Sequence, residues 1–398
     1  MMLPNGWKKV KLGDVAKVTS GGTPLRTHSE YWNGYIPWVK TAQIQNGHIS
    51  KDQVDEYITE LGVKESSAKI VPKGTLLMAM YGQGKTRGQV AILDIDATIN
   101  QACAAFNLKE NEVSTQYLFQ YFLFNYDNIR NLSNDGGQKN LSAEIIKKIP
   151  LDLPPLEEQK KIAATLSVWD SAIEKMEKLI ESKETLLTEY GKDLFGKTEQ
   201  KQNKNWATIA LSEVLSEHGD KSTGEEEVFS VSVHKGLVNQ IEHLGRSFAA
   251  KDTSNYNRVH YGDIVYTKSP TGDFPLGIVK QSLIKEDVIV SPLYGVFTPQ
   301  TFELGTILDF YFSSPVNANN YLHPVAQKGA KNTINITNKK FLSAKLRLPI
   351  DQNEQKKIAQ FVQATKKEMA VLQEILENYK KQKQGLMQKL LTGQWRVK

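Results

Sequence analysis

The segment Ala79-Met80-Tyr81-Gly82-Gln83-Gly84-Lys85-Thr86 has the residue types and spacing to hold a nucleotide phosphate, in the relaxed pattern where alanine replaces the first glycine. A phosphate loop must lead from a strand into a helix, because the helix N-terminus and the loop amides hold the anion. Here Arg87-Gly88-Gln89-Val90-Ala91-Ile92-Leu93 follows, which reads as a second strand. The segment therefore predicts a hairpin loop whose Tyr81, Gln83, Lys85 and Arg87 face an external ligand, and not an ATP site.

Other routes to chemistry are thinner. The seven histidines, His28, His48, His218, His234, His243, His260 and His323, include no metal-binding helical pair; His234 and His243 are close enough in sequence to approach one another, but lone surface histidines are the expected outcome. There is no Gly-x-Ser-x-Gly elbow. There is also no Asn-Pro-Pro-aromatic or Asp-Pro-Pro-aromatic segment, the signature by which amino-methyltransferases hold their target base. Cys103 is the single cysteine, so no internal disulfide and no multi-cysteine zinc site can form. Its apolar surroundings, Gln101-Ala102-Cys103-Ala104-Ala105-Phe106, predict a small buried residue and not a nucleophile. No catalytic, cofactor-binding or metal-ligating residue is expected.

The elements that must position the loops are dominated by a helical stripe that occurs twice. Ile162, Leu166, Trp169, Ile173, Met176, Ile180, Lys183, Leu187, Tyr190 and Leu194 follow one another at alternating steps of four and three, the seam of a two-helix coiled coil. Displaced by 196 residues, Ile358, Val362, Thr365, Met369, Leu372, Leu376, Tyr379, Lys383, Leu386 and Leu390 form a second seam in the same phase. The openings match as well, Glu158-Gln159-Lys160-Lys161-Ile162-Ala163 recurring as Glu354-Gln355-Lys356-Lys357-Ile358-Ala359. Internal duplication follows. Each long helix ends a half that begins with a mixed region, Trp7 with Leu12 in one and Trp206 with Leu211 in the other. The first mixed region has strand-like runs at Thr75-Leu76-Leu77-Met78-Ala79-Met80 and Gln89 to Leu93, and a helical pattern from Thr115 to Arg130. Ser20-Gly21-Gly22-Thr23-Pro24, Tyr81-Gly82-Gln83-Gly84 and Asp135-Gly136-Gly137-Gln138-Lys139-Asn140 are its expected working loops.

The fold class is therefore α+β, two tandem domains each followed by a long helix, with the two helices pairing antiparallel as a coiled coil. The expected divisions are 1–152, 153–197, 198–348 and 349–398. Pro154-Pro155 opens the first long helix and Gly196 ends it; Asp351 with Glu354 resembles a capping box at the second. The final Trp395-Arg396-Val397 echoes Trp7-Lys8-Lys9-Val10, which predicts that the end of the chain returns near its beginning. A length of 398 residues gives ample material for real cores, and the net charge of +6 permits a nucleic-acid partner without requiring one. No apolar run approaches membrane-spanning length, so a cytoplasmic protein is expected.

The chain resembles the specificity subunits of type I restriction-modification systems. The residues that carry the resemblance are Ser20-Gly21-Gly22-Thr23-Pro24 with Ile36-Pro37-Trp38-Val39, the helix opening Leu153-Pro154-Pro155-Leu156-Glu157-Glu158-Gln159-Lys160-Lys161-Ile162 with its second copy, and the closing Leu390-Leu391-Thr392-Gly393-Gln394. The resemblance implies two target recognition domains that each read one part of a split site in double-stranded DNA. It also implies helices that set the domain separation and bind two methyltransferase subunits, with up to two restriction endonuclease subunits joining. S-adenosylmethionine, ATP and Mg would then belong to those partners. The second domain lacks an obvious Gly-Gly-Thr-Pro or Ile-Pro-Trp segment. A rival expectation is a scaffold or decoy that occupies the methyltransferase without reading DNA.

Reading DNA requires bidentate donors and acceptors for base edges and positive charge for phosphates. The first domain offers Lys40, Thr41, Gln43, Tyr81, Gln83, Lys85, Arg87, Gln138, Lys139 and Asn140 in or beside its loops, and the second offers Lys268, Ser269, Thr271, Lys328, Lys331 and Asn332. A helix of about 40 residues measures roughly 60 Å, nearly two turns of B-DNA at ~34 Å each. Inserting or deleting one heptad in the first long helix is therefore expected to alter the unread spacer between half-sites and leave both half-site sequences unchanged. Mapping methylated sites in cells carrying the variant checks this, and new half-site bases would contradict the ruler.

Overall fold

The computed structural model describes residues 3–82, 84–132, 140–196, 204–244, 252–328 and 334–397. Its contacts divide the chain into residues 1–177 with 375–398, and residues 178–374. Both dividing points fall inside long helices, so each unit takes one half of each helix.

In the first unit, Leu76–Ala79 and Val90–Leu93 are apolar without interruption and buried on both faces. That pattern marks a central strand with cover on either side. They lie in a five-stranded sheet of order Ala16–Ser20, Cys103–Leu108, Leu76–Ala79, Val90–Leu93, Gly47–Ile49, antiparallel except for the last pair. Strand alternation sends Leu76, Met78, Val90, Ile92 and Phe106 to one core, with Tyr117, Leu118 and Phe122 of the helix Thr115–Phe124. Leu77, Ala79, Ala91, Leu93 and Cys103 face the other core, with Val39, Ile44 and Ile49. The helical pattern expected from Thr115 to Arg130 is broken at Asn125, which separates Thr115–Phe124 from Tyr126–Arg130.

The second unit repeats this plan with little shared sequence. Its sheet has the order Leu215–Glu217, Gly295–Pro299, Ile264–Tyr266, Val279–Gln281, all antiparallel. Phe302–Phe312 covers one face, and Val259, Val288 and Val290 pack with Val265 and Val296 on the other. Each domain is closed by pairing its first strand with its last, Lys8–Lys11 with Pro150–Leu153 and Trp206–Ala210 with Lys345–Pro349. Short helices precede the closing strands, capped by the hydroxyls of Ser142 and Thr337.

The long helices span Leu156–Phe195 and Gln352–Leu391, and Gly196 follows the first. Asp351 caps the second by accepting from the Glu354 amide at 2.8 Å. The repeated Glu-Gln pair explains itself in three dimensions. Gln159 is fully buried; its amide nitrogen donates to the carbonyls of Glu112 (2.9 Å) and Pro154 (2.8 Å), and its oxygen accepts from the Ser114 amide at 2.9 Å. Gln355 donates to the Pro349 carbonyl at 2.9 Å and accepts from the Thr301 hydroxyl at 2.8 Å. Ser114 and Thr301 are the N-caps of the helices lying on the two sheets. The glutamates take the indoles that begin the domains. Trp7 donates to Glu158 at 3.2 Å, and Trp206 donates to Glu354.

Within the first unit the beginning of one long helix runs antiparallel to the end of the other. Lys383 bonds Asp170, Lys380 reaches Glu177 at 2.9 Å, and Trp169 meets Tyr379 edge-on. Within the second unit the same antiparallel sense holds, with Lys183 on Glu368 at 2.7 Å and Tyr190 against Phe361. Of the seam residues, Ile162, Leu166, Ile180, Leu187, Ile358, Val362, Thr365, Leu376, Lys383 and Leu390 are buried. Ile173, Leu194, Met369 and Leu386 are half-buried, and Met387 is buried beside Leu386 because it turns toward the first domain's core. Arg396 grips Glu158 through two hydrogen bonds, 2.5 and 2.7 Å, and donates to the Asn5 carbonyl at 3.1 Å, so the chain's last residues do meet its first. Among the described residues no helix is long and apolar enough to cross a membrane.

A leucine at position 159 fills the same space and leaves the Ser114 amide and two carbonyls unpaired. Gln159→Leu is expected to lower stability by about 1–3 kcal/mol, whereas Lys161→Ala on the exposed face leaves it nearly unchanged. Urea unfolding of the two variants measures the difference.

Candidate nucleic-acid interface

The residues 80–89 form the connection between antiparallel strands Leu76–Ala79 and Val90–Leu93, with the Gly88 amide bonded back to the Ala79 carbonyl at 2.8 Å. Gly82, Gly84 and Gly88 adopt positive φ, which L side chains rarely tolerate. The loop is held from one side by the helix Tyr126–Arg130. The Tyr126 hydroxyl donates to the Lys85 carbonyl, Arg130 donates to the Gly84 carbonyl, and Arg87 donates to the Arg130 carbonyl at 2.8 Å. Tyr81 and Lys85 are exposed and Arg87 is half-buried, while Gln83 lies outside the described residues. The Leu141 amide bonds the Met80 carbonyl at 3.0 Å, which brings Asn140 beside this loop. Gln138 and Lys139 lie outside the described residues.

Lys40, Thr41 and Gln43 are arranged differently. They form a tight turn after the strand Trp32–Val39, and two of the three side chains are engaged by acids of their own domain. The Lys40 ammonium contacts Asp55 at 2.9 Å and Glu56 at 2.6 Å. Gln43 donates to Asp55 at 2.8 Å, and its oxygen accepts from the Lys40 amide at 2.9 Å. Glu56 chiefly, with Asp55 added, holds the Lys40 ammonium above its usual range despite partial burial. Glu56 is itself held low, first by Arg26 at 2.5 Å and then, against burial, by Lys40. The guanidinium of Arg26 lies over the Trp32 ring at 3.7 Å. A DNA contact from Lys40 or Gln43 must compete with these bonds.

The Ser20-Gly21-Gly22-Thr23-Pro24 segment is a packing device more than an open loop. A Cβ on Gly21 would fall 1.8 Å from the Ile99 carbonyl oxygen, and one on Gly22 would collide with Ser67 and Ala68. The buried Trp38 indole donates to the Gly22 carbonyl at 2.9 Å, joining the two signature segments. Cys103 is a buried strand residue, as its neighbours predicted, and burial pushes its thiol up to about 12.

The second domain carries its candidate loop at the same place in the sheet, between Ile264–Tyr266 and Val279–Gln281. Thr271 and Phe274 exchange backbone hydrogen bonds at 2.9 and 3.1 Å around Gly272-Asp273, a tight turn with Gly272 at φ +50°. Phe274 and Leu276 anchor the loop in the core, leaving Ser269 and Thr271 exposed. Lys268 takes the unusual φ of +57°, and burial lowers its ammonium pKa against the opposing pull of Glu217. Lys331 and Asn332 and the side chain of Lys328 lie outside the described residues. The two loops thus occupy equivalent hairpins in the two domains, as the order of anchors along the two halves suggests.

Residues 4–184, the first domain with most of its long helix, match the family described as the type I restriction modification DNA specificity domain. That part of the chain is thus similar to the type I restriction modification DNA specificity domain. The MjaIX specificity subunit of Methanocaldococcus jannaschii is 28% identical over 280 residues, which cover 66% of this chain and 63% of that protein. In that match the chain spans less than two thirds of the relative's length. The MjaVIII specificity subunit of the same organism is 24% identical over 426 residues, 100% of this chain and 95% of that protein. The crystal structure of a type I S subunit from M. genitalium superposes with a TM-score of 0.64 at 16% identity, covering 98% of each chain, and so shares the fold.

Because residues 80–89 turn from strand to strand, no helix N-terminus is aimed at a phosphate there. Titration with ATP is expected to give no saturable signal, with Lys85→Ala behaving like the unaltered chain. A saturating signal that disappears in Lys85→Ala would restore the phosphate-loop reading.

Proposed function

We propose that the chain is the DNA sequence-recognition subunit of a type I restriction-modification complex, reading a bipartite target with its two domains and docking two methyltransferase subunits. The observation that supports this most is the equivalence of the two hairpins. One sheet plan, built twice, presents Tyr81 and Lys85 in one domain and Ser269 and Thr271 in the other, all exposed and chemically unlike. Like scaffolds with unlike loops suit the reading of two different half-sites. Hydroxyls can bond base edges, an aromatic ring can pack on a thymine methyl, and an exposed ammonium suits a phosphate.

In this reading the chain supplies no catalytic group. S-adenosylmethionine would be bound by the methyltransferase subunits, and ATP and Mg by up to two restriction endonuclease subunits in the cytoplasm. A base taken out of the duplex for methylation would enter a pocket of the partner. The specificity chain would determine where that happens.

The test is a genome-wide map of adenine methylation in cells expressing the chain with its methyltransferase, against cells lacking the chain. A split motif with a constant spacer, present only with the chain, is the expected result. No new motif despite stable co-purification would favour the scaffold or decoy reading. Within the assembled complex, Lys85→Ala is expected to weaken binding about equally across DNA sequences and reduce the salt slope by about 1. Thr271→Val should relax the motif in one half-site alone.

A further inference from the structure

Two histidines far apart in sequence meet in the second domain. His218 follows the strand Leu215–Glu217 and His260 follows Asn257–Val259, and their ring centroids are 5.3 Å apart. Asp220 lies between them, one oxygen 3.0 Å from His260 Nε2 and 3.7 Å from His218 Nδ1. The three ligand atoms all lie within 4.8 Å of one another. His234 and His243, which lie close enough in sequence to approach one another, have no described geometry as a pair, because the His243 side chain lies outside the described residues.

The outer nitrogen of each ring is fixed by a second carboxylate. His218 Nε2 meets Asp263 at 2.9 Å, and His260 Nδ1 meets Asp287 at 2.8 Å. Asp263 is buried and also accepts from the His260 amide at 2.8 Å and the Thr298 hydroxyl at 2.7 Å, so it cannot turn away. The inner nitrogens, His218 Nδ1 and His260 Nε2, both face the Asp220 carboxylate. His218 Nδ1 is moreover buried without a hydrogen-bond partner, a state that proteins rarely leave uncompensated.

We propose that His218 Nδ1, His260 Nε2 and an Asp220 oxygen bind a zinc ion. Two imidazoles and a carboxylate are a borderline donor set suited to zinc, and carboxylates on the outer nitrogens are the usual means of orienting such ligands. Tetrahedral ligands at bond lengths of about 2.0–2.1 Å lie roughly 3.3 Å apart, and the two distances to Asp220 bracket that value. The fourth position is open to water. The ion would fasten the segment after Leu215–Glu217 to the one after Asn257–Val259, a structural role separate from any partner's chemistry and independent of whether the loops read DNA.

The purified chain, stripped with a chelator and reloaded, is expected to bind one zinc ion per chain by elemental analysis and calorimetry, with a rise in Tm on loading. Asp220→Asn and His260→Ala should each lose stoichiometric binding and the rise in Tm, and Asp287→Asn should bind about 10–100-fold more weakly. Asp220 is exposed and the asparagine has its shape, so Asp220→Asn decides the question if His260→Ala does not fold. Substoichiometric binding by the unaltered chain, or equal binding by the chain and Asp220→Asn, would overturn the site and leave an imidazolium–carboxylate cluster in its place.

Discussion

A primary amide that must be satisfied away from water ties each long helix to the domain before it. Gln159 and Gln355 are buried at the entry to their helices, and each spans the gap between the strand that ends the domain and the N-cap of the helix on its sheet. Leaving such a group unpaired costs about as much as several ordinary contacts supply. The helix therefore enters at one depth, and Trp7 or Trp206 fixes its rotation through the neighbouring glutamate. The seam residues can meet the opposite helix half only once that entry is set.

This explains which sequence survives duplication. The repeated Glu-Gln pair makes specific side-chain bonds at the same place in both halves. The sheets are held by backbone hydrogen bonds and apolar burial, which many sequences satisfy equally. Hence Leu76–Ala79 and Ile264–Tyr266 occupy the same sheet position with almost nothing in common but apolarity.

The legibility of the sequence followed the same division. Periodicity and caps placed both long helices, and the strand-like apolar run after Thr86 distinguished a hairpin from a phosphate loop. What the sequence concealed was the use of polar side chains across long separations. Lys40 and Gln43 had the composition of free ligand-binding residues until Asp55 and Glu56 were found against them. Gly21 and Gly22 had the composition of an open loop, but their lack of side chains serves a close approach to Ile99 and Ser67. His218 and His260 follow strands of two different sheets, and no spacing rule links residues that only the packing of those sheets brings together.

The division of the chain also imposes an order of events on its synthesis. Residues 178–374 form a unit continuous in sequence, whereas the core containing Trp7, Leu12, Ile162 and Leu166 also includes Met387, Leu390 and Leu391. The domain that leaves the ribosome first is thus the last to be completed. At typical elongation rates of 5–20 residues per second the wait is roughly 10–40 s. During that interval the apolar seat for the final helical turns stands open. A nascent chain in this state exposes apolar surface, and a stall soon after residue 374 would leave the early domain open while the later one is already closed.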